Sequence, residues 1–123
     1  ADTVIGRELV GWEWDGVVDN GLTPAGLRHL ADTPVNGQLM DARGRPGDGD
    51  AVSSAVFHTR ASGAHVFATG SILFSWGLDA DGRRVYDPGK PQGEPDRRIR
   101  QLMTNVLARM DARPGSPQRD LTI

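Results

Sequence analysis

The stretch Gly63–Asp79, GAHVFATGSILFSWGLD, is the densest run of apolar and small residues in the chain, and it limits the folds open to the rest. Ala64–Thr69 and the preceding Ala51–Arg60 are rich in Val and Phe. A short Ala61-Ser62-Gly63 connection between them predicts a β-hairpin. Val52, Ser54, Val56, His58 and Arg60 share one face of the first strand; Ala55, Phe57 and Thr59 share the other. Both faces carry apolar residues, which predicts cover on both sides, as in a layered α/β domain. At Thr69-Gly70-Ser71 a turn is expected. Thr69 or Ser71 would cap a short helix, and Gly70 would let the backbone turn. The segment should then supply the central strand, with Ile72, Leu73, Phe74 and Trp76 locking a later helix to the sheet.

That later helix is the clearest element. Ile99, Leu102, Met103, Val106, Leu107 and Met110 follow the i, i+3, i+4, i+7 spacing of an amphipathic helix packed on a sheet. Pro95 marks its start and Asp96 falls in its first turn, where a carboxylate complements the dipole. The helix should end near Ala112, before Pro114-Gly115. The fold class is therefore α/β: a layered sheet with a β-hairpin and a C-terminal amphipathic helix. Residues 1–112 are expected to form one domain, cut from a longer chain, and 113–123 a loose tail.

The remaining segments are more polar. Leu9–Trp14 reads as a short strand, and Asp19-Asn20-Gly21 as a turn. Thr23-Pro24 predicts an N-cap and first helical residue for one or two turns reaching Leu30, weakened by Gly26. Pro34 predicts a loop over Asp32–Val35, Asn36–Asp41 a short strand, and Ala42–Asp50 an exposed loop. The Asp48-Gly49-Asp50 end of that loop lacks the spaced oxygen ligands of a calcium loop. A second long loop spans Asp81–Glu94.

A chain of 123 residues has the size of one domain. It has no cysteine, which excludes disulfides, cysteine-ligated metal centres and a cysteine nucleophile. The net charge of −2 gives no basic face for nucleic acid. The one basic cluster, Arg97, Arg98 and Arg100, reads as a solvated helix face. No run approaches the roughly eighteen apolar residues of a membrane span. The protein is expected to be soluble, with cytoplasmic and exported locations both open.

Chemistry has few candidates. Ser71 departs from the G-x-S-x-G nucleophile pattern, since only the glycine before it fits. Of the three histidines, His29, His58 and His65, the last two fall on facing strands of the hairpin and could be near each other, but no third ligand is spaced to complete a metal set. The most telling polar group is Trp12-Glu13-Trp14-Asp15, followed by Asp19. In a regular strand Glu13 faces away from both tryptophans. Buried there, it needs an arginine, a metal or a proton and can act as acid, base or ligand. On a solvated face it has no such role. Trp12, Trp14 and Trp76 would suffice for a sugar-stacking platform, although core packing explains them equally well.

Two segments together, LVGWEWDGVVDNGLTPAGL (Leu9–Leu27) and ASGAHVFATGSILFSWGLD (Ala61–Asp79), resemble the C-terminal region of the large (beta) subunit of N,N-dimethylformamidase. RRIRQLMTNVLARM fits as the closing helix, so the resemblance spans residues 5–112. It implies part of a class I glutamine amidotransferase-like domain, without that fold's cysteine nucleophile. It also implies hydrolysis of an amide C–N bond by an iron centre held by tyrosines and a glutamate, oxygen ligands suited to a Lewis-acidic ion. Glu13 is the candidate for the glutamate, and His58 a candidate catalytic partner. The tyrosines do not transfer, because Tyr86 is the single tyrosine and lies outside the matched motifs.

Two functions follow. The first is part of a bacterial hydrolase of amide C–N bonds, inactive in isolation and completed by the rest of its own longer chain, with iron bound in that context. The second is a non-catalytic module making carbohydrate or protein contacts through Trp12, Trp14, Asp15, Asp19 and Trp76. A sheet edge left open by truncation predicts a homo-oligomer.

Overall fold

A computed structural model describes residues 3–11, 13–41, 43–79, 94–116 and 118–122. Trp12, Tyr86 and residues 80–93, where most of the second long loop is expected, lie outside the described residues. The fold elements are a three-stranded antiparallel open sheet and a short C-terminal helix, consistent with a small α/β domain. The chain divides into two compact units, Glu13–Ser71 and the remainder.

In the first unit the sheet order is β1 (Arg28–Met40), β2 (Pro46–Thr59), β3 (His65–Ala68). The expected hairpin is present: Phe57 pairs with Phe67 and Thr59 with His65. The central strand, however, is β2, and β3 is an edge. Ser53, Ala55 and Phe57 are buried on one face of β2, and Ser54 on the other.

The long β1 strand corrects three expectations. The helical turns at Thr23–Leu30 reduce to one turn, closed by the Leu27 N–H donating to the Pro24 carbonyl at 3.2 Å. Gly26, at φ +80°, ends it, and Arg28–Leu30 join the sheet. Pro34 does not make a loop. It sits on an edge strand opposite Val52, where a missing N–H on the outer side breaks no ladder bond. The loop expected at Ala42–Asp50 is cut short, because β2 begins at Pro46. There the Asp41 carboxylate accepts from the Arg43 N–H at 2.8 Å, the Arg45 N–H at 3.0 Å and the Arg45 Nε at 2.8 Å. These bonds hold its carboxyl below the ordinary carboxylate range, the Arg45 N–H contributing most. Pro46–Asp50 then pairs with Asn36–Met40.

In the second unit the core is Leu9, Leu73, Phe74, Ile99 and Val106. Ile72–Gly77 form a 3-10 helix and Arg97–Arg109 the helix α1. Gly77 is required by close packing: a Cβ there would stand 2.6 Å from Leu9 Cδ1 and 3.0 Å from Ile99 Cγ2. Of the expected strand Leu9–Trp14, the described residues are irregular except for one bridge at Trp14. Gly6 and Glu8, both in the left-handed region, turn the backbone just before it.

Asp96 lies outside the first turn and is the N-cap of α1, with extended backbone. Its carboxylate accepts from the Arg98 N–H at 2.8 Å and from the Gly6 N–H at 2.8 Å, and pairs with the Arg98 guanidinium at 2.6 Å. The guanidinium is the main cause holding this carboxyl far below the ordinary range. The basic cluster is likewise engaged rather than simply solvated. Arg98 also donates to the Val4 carbonyl, and Arg100 Nε to the Leu78 carbonyl. Arg97 donates to the Asp120 carbonyl, and Gln101 makes a reciprocal pair with the Thr122 N–H and carbonyl.

At its C-terminus α1 closes in a Schellman motif. The Ala112 N–H reaches the Leu107 carbonyl at 2.8 Å and the Asp111 N–H reaches that of Ala108 at 3.1 Å. Asp111 holds the left-handed position at φ +61°, where glycine is usual.

Candidate functional site

The two motif segments meet at the end of β3. Gly70 turns the chain away from β2 in a left-handed conformation (φ +71°), and a Cβ on it would overlap the Ser54 carbonyl. The Trp14–Gly16 segment takes up the freed edge of β2. Asp15 N–H donates to the Gly70 carbonyl at 2.9 Å, and Ser54 N–H donates to the Asp15 carbonyl at 3.0 Å. Ser53 Oγ donates to the same Gly70 carbonyl at 2.9 Å, and Trp14 bridges Ser71. Gly16 runs against the Val52 carbonyl with no room for a side chain. The junction thus satisfies buried backbone groups whose loss would cost about 1–3 kcal/mol each. The two segments thus share their hydrogen bonding: Asp15 of the first donates to the Gly70 carbonyl of the second, and Trp14 bridges Ser71.

What the junction presents to solvent is limited. Glu13, Asp15 and Asp19 are exposed. No hydrogen bond or ion pair among the described residues holds the Glu13 side chain. Because the backbone around it is not a regular strand, alternation does not set its direction. Trp14 and Trp76 are each half-buried, Trp12 lies outside the described residues, and no three-tryptophan platform is described. Ser71 is buried at 7% exposure. The Thr69 hydroxyl donates to its carbonyl at 3.0 Å, matching the turn role read for this pair rather than a nucleophile.

His58 and His65 lie on the facing strands β2 and β3, as expected, but not on the same side of the sheet. His58 pairs with Val66 and His65 with Thr59, so the two rings fall on opposite sheet faces. His65 stacks on Phe57 with centroids 5.4 Å apart, and its Nδ1 lies 2.9 Å from Thr59 Oγ1. His58 shares its face with His29 and Asp32 of β1. A register shift between His29 and Ala31 reverses the strand's parity, which puts residues three apart on one side. His29 Nδ1 lies 2.8 Å from Asp32 Oδ1, which also accepts from Ser54 Oγ at 2.7 Å. The His29 hydrogen bond, then that of Ser54, lowers the Asp32 carboxyl below its ordinary value. Nearby, His58 Nδ1 is buried with no hydrogen-bond partner. Sequence reasoning missed the grouping because it depends on a bulge that no local pattern marks.

An iron centre of the kind implied above does not fit the described residues. Glu13 stands exposed without a convergent donor, and no group of three His, Asp or Glu is placed to hold an ion among them. Nor is any described helix long and apolar enough to cross a membrane.

A family model described as N,N-dimethylformamidase beta subunit-like, C-terminal, matches residues 1–90. No curated protein and no solved structure matches the chain. The matched residues include both motif segments and the whole sheet and stop short of α1.

Proposed function

We propose, for a chain that belongs to the N,N-dimethylformamidase beta subunit-like C-terminal family, a supporting role in the hydrolysis of amide C–N bonds. In this reading the region scaffolds and binds, and the rest of a longer chain supplies the reacting groups. A layered surrounding of the glutamine amidotransferase kind belongs to the same proposal, supported by the burial of residues on both faces of β2. The observation that carries the reading is the junction of Asp15, Gly70 and Ser54, which spends its polar groups on backbone bonds and leaves Glu13 in solvent.

The test is amine release from a simple N,N-dialkylamide by the intact protein carrying Glu13→Gln. The expected result is hydrolysis with kcat/KM within about twofold of the unmodified protein. A large fall in kcat at unchanged thermal stability would make Glu13 a catalytic residue and overturn the supporting role. Absence of amide hydrolysis by the intact protein would overturn the hydrolase reading itself.

A further inference from the structure

We propose that His29 and His58, with Asp32 behind the first, form a binding site for a divalent transition metal such as zinc, completed by water. The inference rests on the sheet face itself and not on the hydrolase reading.

The β1 bulge is the first observation. In an unbroken strand His29 and Asp32 would point to opposite sides. The register shift between His29 and Ala31 brings both to the face of Ser54, Val56 and His58. Bulges re-aim side chains in this way beside functional sites.

The second observation is the order of the hydrogen bonds. Ser54 is 5% exposed and its hydroxyl donates to Asp32 Oδ1 at 2.7 Å, which anchors the carboxylate. An ionised carboxylate only accepts. At 2.8 Å from the same oxygen, His29 Nδ1 therefore carries the proton, and the lone pair of the neutral ring is on Nε2. A histidine whose Nδ1–H is held by a carboxylate, with Nε2 free, is the arrangement that orients metal-binding imidazoles.

The third is His58. Its Nδ1 is buried and has no hydrogen-bond partner, so no bond at that nitrogen accounts for its place in a half-buried position. His29 stands opposite Val56, two residues from His58 on the same face. Diagonal neighbours of this kind lie roughly 7–8 Å apart, a span two imidazoles can close on one ion. No group of three His, Asp or Glu among the described residues is placed to hold an ion, so the site has two protein ligands, water completes the coordination and moderate affinity is expected.

Zinc chloride titrated calorimetrically into the intact protein tests the site. The expected result is one saturable site, lost in His29→Ala and His58→Gln and weakened about 10- to 100-fold in Asp32→Asn. His65→Ala, on the opposite face, should bind as the unmodified protein does. Because His58 is half-buried, circular dichroism must first show that the Gln variant is folded; His29→Ala provides a second, more exposed test. No saturable binding, binding that survives His29→Ala, or unchanged affinity in Asp32→Asn would each overturn the proposal.

Discussion

The sheet unit and the helix unit hold themselves together by different means. Around the sheet, the most constrained points are backbone meetings: Gly70 against Ser54, Gly16 against Val52, Asp15 bonded to both Gly70 and Ser54. Its buried side chains include the serines 53, 54 and 71. Around the helix, the constraint is apolar volume in Leu9, Leu73, Phe74, Ile99 and Val106, with Asp96 anchoring one end. Backbone contacts tolerate almost no change of residue type, whereas apolar volume can be refilled by other aliphatic residues. The family match over residues 1–90 takes in the whole sheet unit together with Leu9, Leu73 and Phe74 of the helix unit's core, and stops short of α1.

Four variants sharpen or break the contrast. Ile99→Ala, at a residue 3% exposed, should cost about 2–5 kcal/mol in denaturant unfolding. A loss under 1 kcal/mol would mean that apolar volume is not what holds the helix unit. Gly70→Ala should cost about 1–2 kcal/mol from the left-handed backbone alone, plus the overlap with the Ser54 carbonyl. Melting unchanged from the parent would show that the junction yields easily.

Asp96→Ala removes an N-cap and should cost about 1–2 kcal/mol at neutral pH. The sign of its pH dependence follows from the depressed carboxyl. Its stabilisation is complete above the ordinary aspartate value near 3.9 and is lost as the pH falls below that toward the native value. Acid unfolding curves for the parent and for Asp96→Ala should therefore converge below about pH 4. A constant gap down to pH 2 would contradict the assignment. At the other end of α1, Asp111→Gly should stabilise the protein by about 0.5–1 kcal/mol, because glycine takes φ +61° without a Cβ penalty. A lower melting temperature would show that the aspartate side chain contributes more than its backbone costs.

Much of this architecture is legible locally. The β2–β3 hairpin follows from strand composition and a short glycine-ended connection, the turn at Gly70 from a glycine between two hydroxyl residues, and α1 from its apolar period. Pro34 does not decide its own element, because proline excludes a central strand and a helix but not an edge, and edge status depends on which strands pair. Asp96 reads as a first-turn residue because a carboxylate suits both the cap and the first turn, and only the Gly6 N–H and Arg98 contacts decide between them. The role read for Glu13 depends on a regular strand, and Glu13 instead lies at a bend beside the single bridge at Trp14.

The absence of cysteine chemistry, the hairpin and the helix are all readable along the chain, because composition and short-range periodicity act within a few residues; the family followed from the resemblance carried by the two motif segments together. Only the tertiary structure decided that β2 is central, that Asp15 completes its edge, and that a bulge brings His29, Asp32, Ser54 and His58 to one face. Each of those depends on strand register, a long-range quantity: one extra residue in one strand reverses which side chains meet, and it leaves the local pattern almost unchanged.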